Sequence, residues 1–204
     1  MKNITGNANH IFGLLRQHIL RHKAVYAAIA LTLALGLGYM GKLIITRNFH
    51  EVVAGELYRS AQPTASALAD YQKKYGIRTV INLRGTHANS KWYREEKAAN
   101  AALGITQIDL HMSSRHELTE TQSLELINTM RHAQKPILIH CQAGANRTSL
   151  AVALYMAAIR KENEFNSELQ LSMLYGHVSL WFTPSYAMDR SFEKMEPVFG
   201  YDTL

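Results

Sequence analysis

Residues 137–156 read "ILIHCQAGANRTSLAVALYM": an apolar run, a loop of small and polar residues, then a strongly helical segment. That order admits few folds. A continuous apolar strand is buried on both faces, so it belongs inside a sheet covered by helices on both sides. A loop running from the carboxyl end of such a strand into a helix aims successive backbone N–H groups, and the helix N-terminus, at an anion. The chain's single cysteine, Cys141, stands at this seam. One cysteine forms no internal disulfide, so the fold is not a disulfide scaffold and the thiol serves either packing or chemistry. A field that attracts an anion also favours thiolate over thiol. Arg147 follows, and its planar fork can hold two oxygens of a phosphate where Lys would act as a point charge. Thr148 can donate its hydroxyl to the thiolate.

The 204 residues suit one domain with an appendage. From Asn48 onward strand-like and helix-like stretches alternate without repeats or low-complexity tracts. "ELYRSAQPTASALADYQKKYG" predicts an extended segment, a turn and a helix closed by Gly76, and "IRTVINLRG" a strand ended by Gly85. "YREEKAANAALG" predicts a helix stopping at Gly104, "ITQIDLHM" a strand, "LTETQSLELINTMRHA" a helix capped by Thr119, and "KPILIHC" the buried strand. Helices are expected in "RTSLAVALYMAAIRK", in "NSELQLSMLYG" and around "SYAMDRSFEKM". The predicted fold is α/β, a central and largely parallel sheet flanked by helices, over residues 48–204.

The N-terminus carries a second message. Residues 24–41, "AVYAAIALTLALGLGYMG", hold no charge and span roughly 27 Å as a helix, close to the ~30 Å bilayer core. "LII" continues the apolar run beyond Lys42, which predicts one transmembrane helix over residues 24–45. A cleaved signal peptide, a buried core helix and a surface helix are the alternatives. Against the first, 23 residues precede the run, and no clear small-x-small cleavage site follows. Residues 1–23 form a basic segment with an apolar helical stripe suited to lipid headgroups, or else a solvated tail. Lys2, Arg16, Arg21 and Lys23 precede the span, against Lys42 and Arg47 after it, which puts the N-terminus in the cytoplasm of a single-pass protein, as in a bacterial inner membrane. The formal charge of +6 favours anionic partners. No nucleic-acid motif accompanies it, and the histidines lack metal-ligand spacing, so neither nucleic acid, a metal nor a cofactor is expected.

"HCQAGANRT" resembles the His-Cys, five residues, Arg-Ser/Thr signature of the cysteine-dependent protein tyrosine phosphatase superfamily. "GELYRSAQPT", "GIRTVINLRG" and "HCQAGANRTS" fall in the order seen in compact dual-specificity-like phosphatases, over roughly residues 52–195. Rhodaneses use a shorter loop, and low-molecular-weight phosphatases carry theirs near the N-terminus. The competing reading is a structural cysteine beside an incidental arginine. The resemblance implies a protein tyrosine phosphatase-like fold and a phosphocysteine mechanism, in which Cys141 attacks phosphorus and Arg147 binds the phosphoryl oxygens. Gln142, Ala143, Gly144, Ala145, Asn146 and Thr148 would line the phosphate. Two departures stand out: Ser149 where many relatives have Gly, and no Lys in the loop interior, where Ala145 and Asn146 stand. The second weakens the expectation of a highly charged substrate.

The resemblance also requires an aspartic acid on a movable loop about thirty residues before the nucleophile, and Asp109 fits that spacing; a strand-end cap is its alternative role. Glu117, His111 and His116 are the reserves. Arg59 and Arg84 are candidates for substrate contact or ordinary salt bridges, His140 for ordering the loop, and Trp92 and Trp181 for packing. The expected function is a protein tyrosine or dual-specificity-like phosphatase acting on a phosphorylated protein. A membrane phospholipid phosphatase, for example on phosphatidylglycerophosphate, and a non-catalytic phosphate-binding module tethered to the membrane are the alternatives.

Overall fold

The computed structural model describes residue 13, residues 16–18 and residues 21–201. The basic segment 1–23 thus lies largely outside the described residues. The chain divides into two compact units, residues 1–42 and 43–204. Helix α1 (Lys23–Ile45) is long and apolar enough to cross a membrane. Leu31, Leu33, Leu35 and Leu37 are all exposed along it.

The second unit is built on five strands: β1 (His50–Val53), β2 (Leu57–Ser60), β3 (Thr79–Asn82), β4 (Thr106–Asp109) and β5 (Ile137–His140), in the order β1-β2-β5-β3-β4. Only β1 is antiparallel to its neighbour; the other pairs are parallel. The sheet is therefore mixed, with the expected parallel core and an antiparallel edge. Its register aligns the strand ends, because Ser60 and Asn82 both pair with His140, and Asn82 with Asp109. The carboxyl ends of four strands thus form one row.

Alternation along the strands divides the core in two. Leu57, Ile81, Ile137 and Ile139 face one way, toward α4 (Glu120–His132), α5 (Asn146–Tyr155) and α7 (Ala187–Glu193). Tyr58, Val80 and Leu138 face the other way, toward α2 (Ala65–Tyr75), with Tyr71 and Tyr75 packed alongside, and α3 (Lys91–Ala102). Local chemistry sets the helix ends. Thr64 accepts from the Ala67 amide at the start of α2, Gly76 closes it in the left-handed region, and Thr119 with Gln122 forms a reciprocal capping box on α4.

One predicted helix is corrected. "NSELQLSMLYG" contributes only to α6 (Glu164–Glu168), followed by turns and a single 3₁₀ turn at Met173–Tyr175. Helical propensity yields there to tertiary partners, since the Tyr175 carbonyl accepts from Asn48 and its ring lies under Arg59. A last short helix, α8 (Glu196–Phe199), ends the described chain.

Glu56, in the turn between β1 and β2, ties the sheet to its helices. It accepts from Lys135 (2.7 Å), Arg160 (3.1 Å) and the buried Tyr155 hydroxyl. Burial pushes its carboxyl up, but the hydrogen bonds from Lys135 and Tyr155 and the charges of Lys135 and Arg160 outweigh this and hold it below the ordinary range. A carboxyl lowered on folding stabilises the protein above its unfolded value and loses that contribution as pH falls through its folded one. Glu56→Gln should therefore cost on the order of 1.5–3 kcal/mol in urea unfolding at pH 7. The gap from wild type should close as the pH is taken below the ordinary value of 4.5.

Candidate active site

Cys141 follows the last residue of β5 and is buried. The loop from Cys141 to Ala145 is fixed through its carbonyls. The Cys141 carbonyl accepts from His140 Nδ1 (3.3 Å), that of Gln142 from the Gln62 amide (3.1 Å), and that of Ala143 from Asn48 Nδ2 (3.1 Å). Gly144 accepts from Arg59 Nη2 (3.1 Å) and Ala145 from the Ser149 amide (2.8 Å). Five consecutive carbonyls are held by donors outside the loop's concave side. Peptide units whose carbonyls are held in this way can turn their amides toward an anion.

Arg59 is fully buried. Besides Gly144 it donates to Ser149 Oγ (2.6 Å) and to Gln170 (3.3 Å to Oε1), and its guanidinium lies 3.9 Å from the Tyr175 ring centre. Among the described residues Arg59 makes no ion pair with a carboxylate; it ties the loop at Gly144 to Ser149 and Gln170. Ser149, the residue that departs from the family pattern, supplies the hydroxyl that Arg59 holds. Burial pushes the Arg59 guanidinium down to about 10, against the opposing pull of Tyr175 and Cys141. Gly144 has φ +67, and a Cβ there would meet the backbone of Ser60 and Ala61 at 2.6 Å. The loop can lie this close to β2 only with glycine.

Arg147 donates through Nη1 to the Leu83 and Met112 carbonyls, each at 3.3 Å. Its Nε and Thr148 Oγ1 are buried with no protein hydrogen bond. Buried polar atoms next to the Cys141 loop that lack a protein partner are open to one from a ligand or water.

A chain of hydrogen bonds runs from His140. Its Nε2 lies 2.8 Å from Glu96 Oε1; Gln62 Nε2 donates to Glu96 Oε2 (2.5 Å), and Arg84 Nη1 to Gln62 Oε1 (2.8 Å). Trp92, expected only to pack, covers the Arg84 guanidinium at 3.5 Å. On the opposite side, fully buried His177 sits between Asn146 Oδ1 and Asp189 Oδ2, 2.9 Å from each.

Asp109 is not on a movable loop. It is the last residue of β4, and its carboxylate accepts from Asn82 (2.8 Å), Gln107 (2.9 Å) and the Tyr93 hydroxyl (2.5 Å). The segment that reaches the site is 110–119, through the Met112 carbonyl on Arg147. Within it Glu117 is held below the ordinary carboxylate range by its hydrogen bonds from Lys194 and Arg190. His111 Nδ1 rests 3.3 Å from the Arg84 carbonyl, and His116 lines a cavity of about 400 Å³ beside Leu110, Met112 and Ser113. Glu164, Glu168 and Glu196 form the one carboxylate cluster of metal-binding compactness among the described residues, and it includes no residue of the phosphate loop.

Asn48, Gln62, Glu96, Tyr175 and His177 escape a reading of the sequence. Glu96 alone carries a signal there: it shares the i, i+3, i+4 face of α3 with the buried Tyr93 and Asn100, and a buried acid requires a partner.

The family described as a DSP-PTPase phosphatase fused to NAD+ kinase matches residues 46–182. The chain belongs to this family. It is a cysteine-dependent phosphatase of the dual-specificity, protein tyrosine phosphatase-like kind. The fold is shared with solved structures. TpbA of P. aeruginosa in complex with phosphotyrosine has a TM-score of 0.57 at 17% identity, over 77% of this chain and 93% of that one. PTPMT1 has 0.55 at 14%, over 74% and 98%, and Tk-PTP in its active form 0.52 at 16%, over 72% and 97%. A search of curated proteins gave no match.

Gly144→Ala should lower kcat/KM by on the order of 10²–10³, the usual effect of displacing an anion-binding amide. Steady-state kinetics on an aryl phosphate, with circular dichroism to show an intact fold, measures this.

Proposed function

We propose that the DSP-PTPase unit hydrolyses phosphate monoesters through a phosphocysteine on Cys141, with Arg147 and the amides of Gln142, Ala143, Gly144, Ala145 and Asn146 holding the phosphoryl oxygens and Thr148 facing the sulfur. The observation that carries this reading is the five outward-tied carbonyls around Cys141, together with the orphaned Arg147 Nε. Cys141 Sγ attacks phosphorus in line with the ester oxygen; the S–P bond forms, the P–O bond breaks, and the leaving oxygen takes a proton. Water then attacks phosphorus, the S–P bond breaks, and inorganic phosphate departs. Phosphorylated tyrosine in a protein is the favoured substrate, because the loop interior lacks the lysines that a multiply charged headgroup would call for.

A second reading, a phosphomonoester on a membrane lipid, is favoured by α1, which is long and apolar enough to span a bilayer. In both readings α1 anchors the chain, with the N-terminus in the cytoplasm as the flanking charges favour. PTPMT1, which shares the fold, has been solved in complex with PI(5)P, and this supports the second reading.

Cys141→Ser should lose turnover and keep tungstate binding, because the loop amides and Arg147 remain while a hydroxyl is a poor nucleophile at neutral pH. Residual turnover within about tenfold of wild type contradicts the covalent route.

The leaving-group proton is assigned by substrate choice. Three donors already occupy the Asp109 carboxylate, which suits a positioning role better than proton donation. Asp109→Asn should then slow an alkyl phosphate and an aryl phosphate of a very acidic phenol equally. His116→Ala or His111→Ala should slow the alkyl ester selectively, by the 10²–10⁴ or so typical of general acid help. A selective loss in Asp109→Asn would restore Asp109 as the acid.

A further inference from the structure

Between Glu168 and Asp189 the chain has no Asp, Glu, Lys or Arg. Within that stretch Met173, Leu174, Leu180, Trp181 and Phe182 are exposed, Trp181 at 78% and Phe182 at 64%. Their exposure is not that of a loose loop, because the root of the segment is pinned. The Tyr175 carbonyl accepts from Asn48 Nδ2 at 2.8 Å, Tyr175 supports Arg59, and His177 is buried between Asn146 and Asp189. Ser179 Oγ donates to Asp189 Oδ1 at 2.8 Å, and the Thr183 amide to the Leu180 carbonyl at 2.8 Å. A rigid base therefore holds an apolar tip in water, where each Å² costs about 25 cal/mol.

We infer that residues 173–182 seat on the surface of a lipid bilayer, with Trp181 and Phe182 at the level of the headgroups. The inference rests on α1 being the membrane anchor. What selects a bilayer as the occupant is the place where the loop is rooted. Gly176 packs against Leu43, so closely that a Cβ on it would come within 3.2 Å of Leu43 Cδ1. Leu43 is where the apolar segment enters the domain, and the adjoining Ile44 and Ile45 are exposed at 73% and 84%. When that segment spans a bilayer, Leu43 lies at the boundary, and the loop root lies with it. Trp and Phe are the side chains suited to this depth, and the absence of acidic residues removes repulsion from anionic lipid. Asn48 donates both to Tyr175 and to Ala143 of the phosphate loop, so the same seat fixes the height of the active site above the membrane.

The chain has two tryptophans, Trp92 and Trp181, so Trp181→Phe isolates the emission of the loop. The full chain is reconstituted in phosphatidylcholine–phosphatidylglycerol vesicles containing lipid brominated high on the acyl chain, and aryl phosphate turnover confirms folding of both proteins. The emission that Trp181→Phe removes should be blue-shifted on reconstitution, quenched by the brominated lipid and shielded from acrylamide. Quenching by acrylamide alone overturns the inference, and shielding from both quenchers overturns it in favour of a protein on the loop. Flotation of the same vesicles after an alkaline carbonate wash tests the anchor separately. Release of the chain there counts against α1 as a span, whereas the brominated-lipid result decides the loop in either case.

Discussion

The catalytic loop takes its shape from donors that hold its carbonyls. An isolated stretch such as "CQAGAN" has no reason to turn successive amides to one side. It does so here because Asn48, Arg59, Gln62, His140 and Ser149 each claim one carbonyl from behind. Those five residues come from the segment before β1, from β2 and the turn after it, from β5 and from α5. The anion site is thus a product of the whole parallel sheet: the register that aligns Ser60, His140 and Asn82 is what brings the donors together.

The electrostatics follow from the same arrangement. Arg59 is buried, yet among the described residues none of its hydrogen bonds goes to a carboxylate; its partners are carbonyls, an amide oxygen and a hydroxyl. A buried cation left with neutral partners is costly unless a negative charge enters the site. Burial likewise pushes the Arg84 guanidinium down, and the charge of Arg147 adds to that effect.

The strand, loop and helix order around Cys141 and the alternation of strands and helices were legible in the sequence because each rests on local chemistry: an apolar strand, a small-residue loop, a Thr119 cap, a Gly76 stop. What escaped was set by partners remote in sequence. Arg59 reads as a substrate contact or an ordinary salt bridge, and nothing in the sequence signals its hydrogen bond to the Gly144 carbonyl. "NSELQLSMLYG" reads as a helix until Asn48 and Arg59 draw Tyr175 away. The spacing that singles out Asp109 carries no information about the Tyr93 hydroxyl, which reaches its carboxylate from α3. His177 gives no sequence signal, because its two partners lie 31 and 12 residues away on different elements.

The start of the domain shows the same dependence. The alternation of strands and helices starts the domain at Asn48; the compact unit takes in the residues from Leu43 onward, and the Asn48 amide donates to the Leu43 carbonyl at 2.7 Å. Arg47 and Asn48 both have positive φ, 53° and 49°, a region that Asn tolerates and Arg does not favour. Such a turn persists only where the surroundings over-determine it. Here they do: the Arg47 carbonyl accepts from the Ala61 amide, and the Asn48 side chain donates to Ala143 and Tyr175. A chain cut at Asn48 would lose the Leu43 carbonyl and the turn that aims the Asn48 side chain, and with them one of the five holds on the phosphate loop. The segment that leads out of α1 is therefore part of the active site's framework.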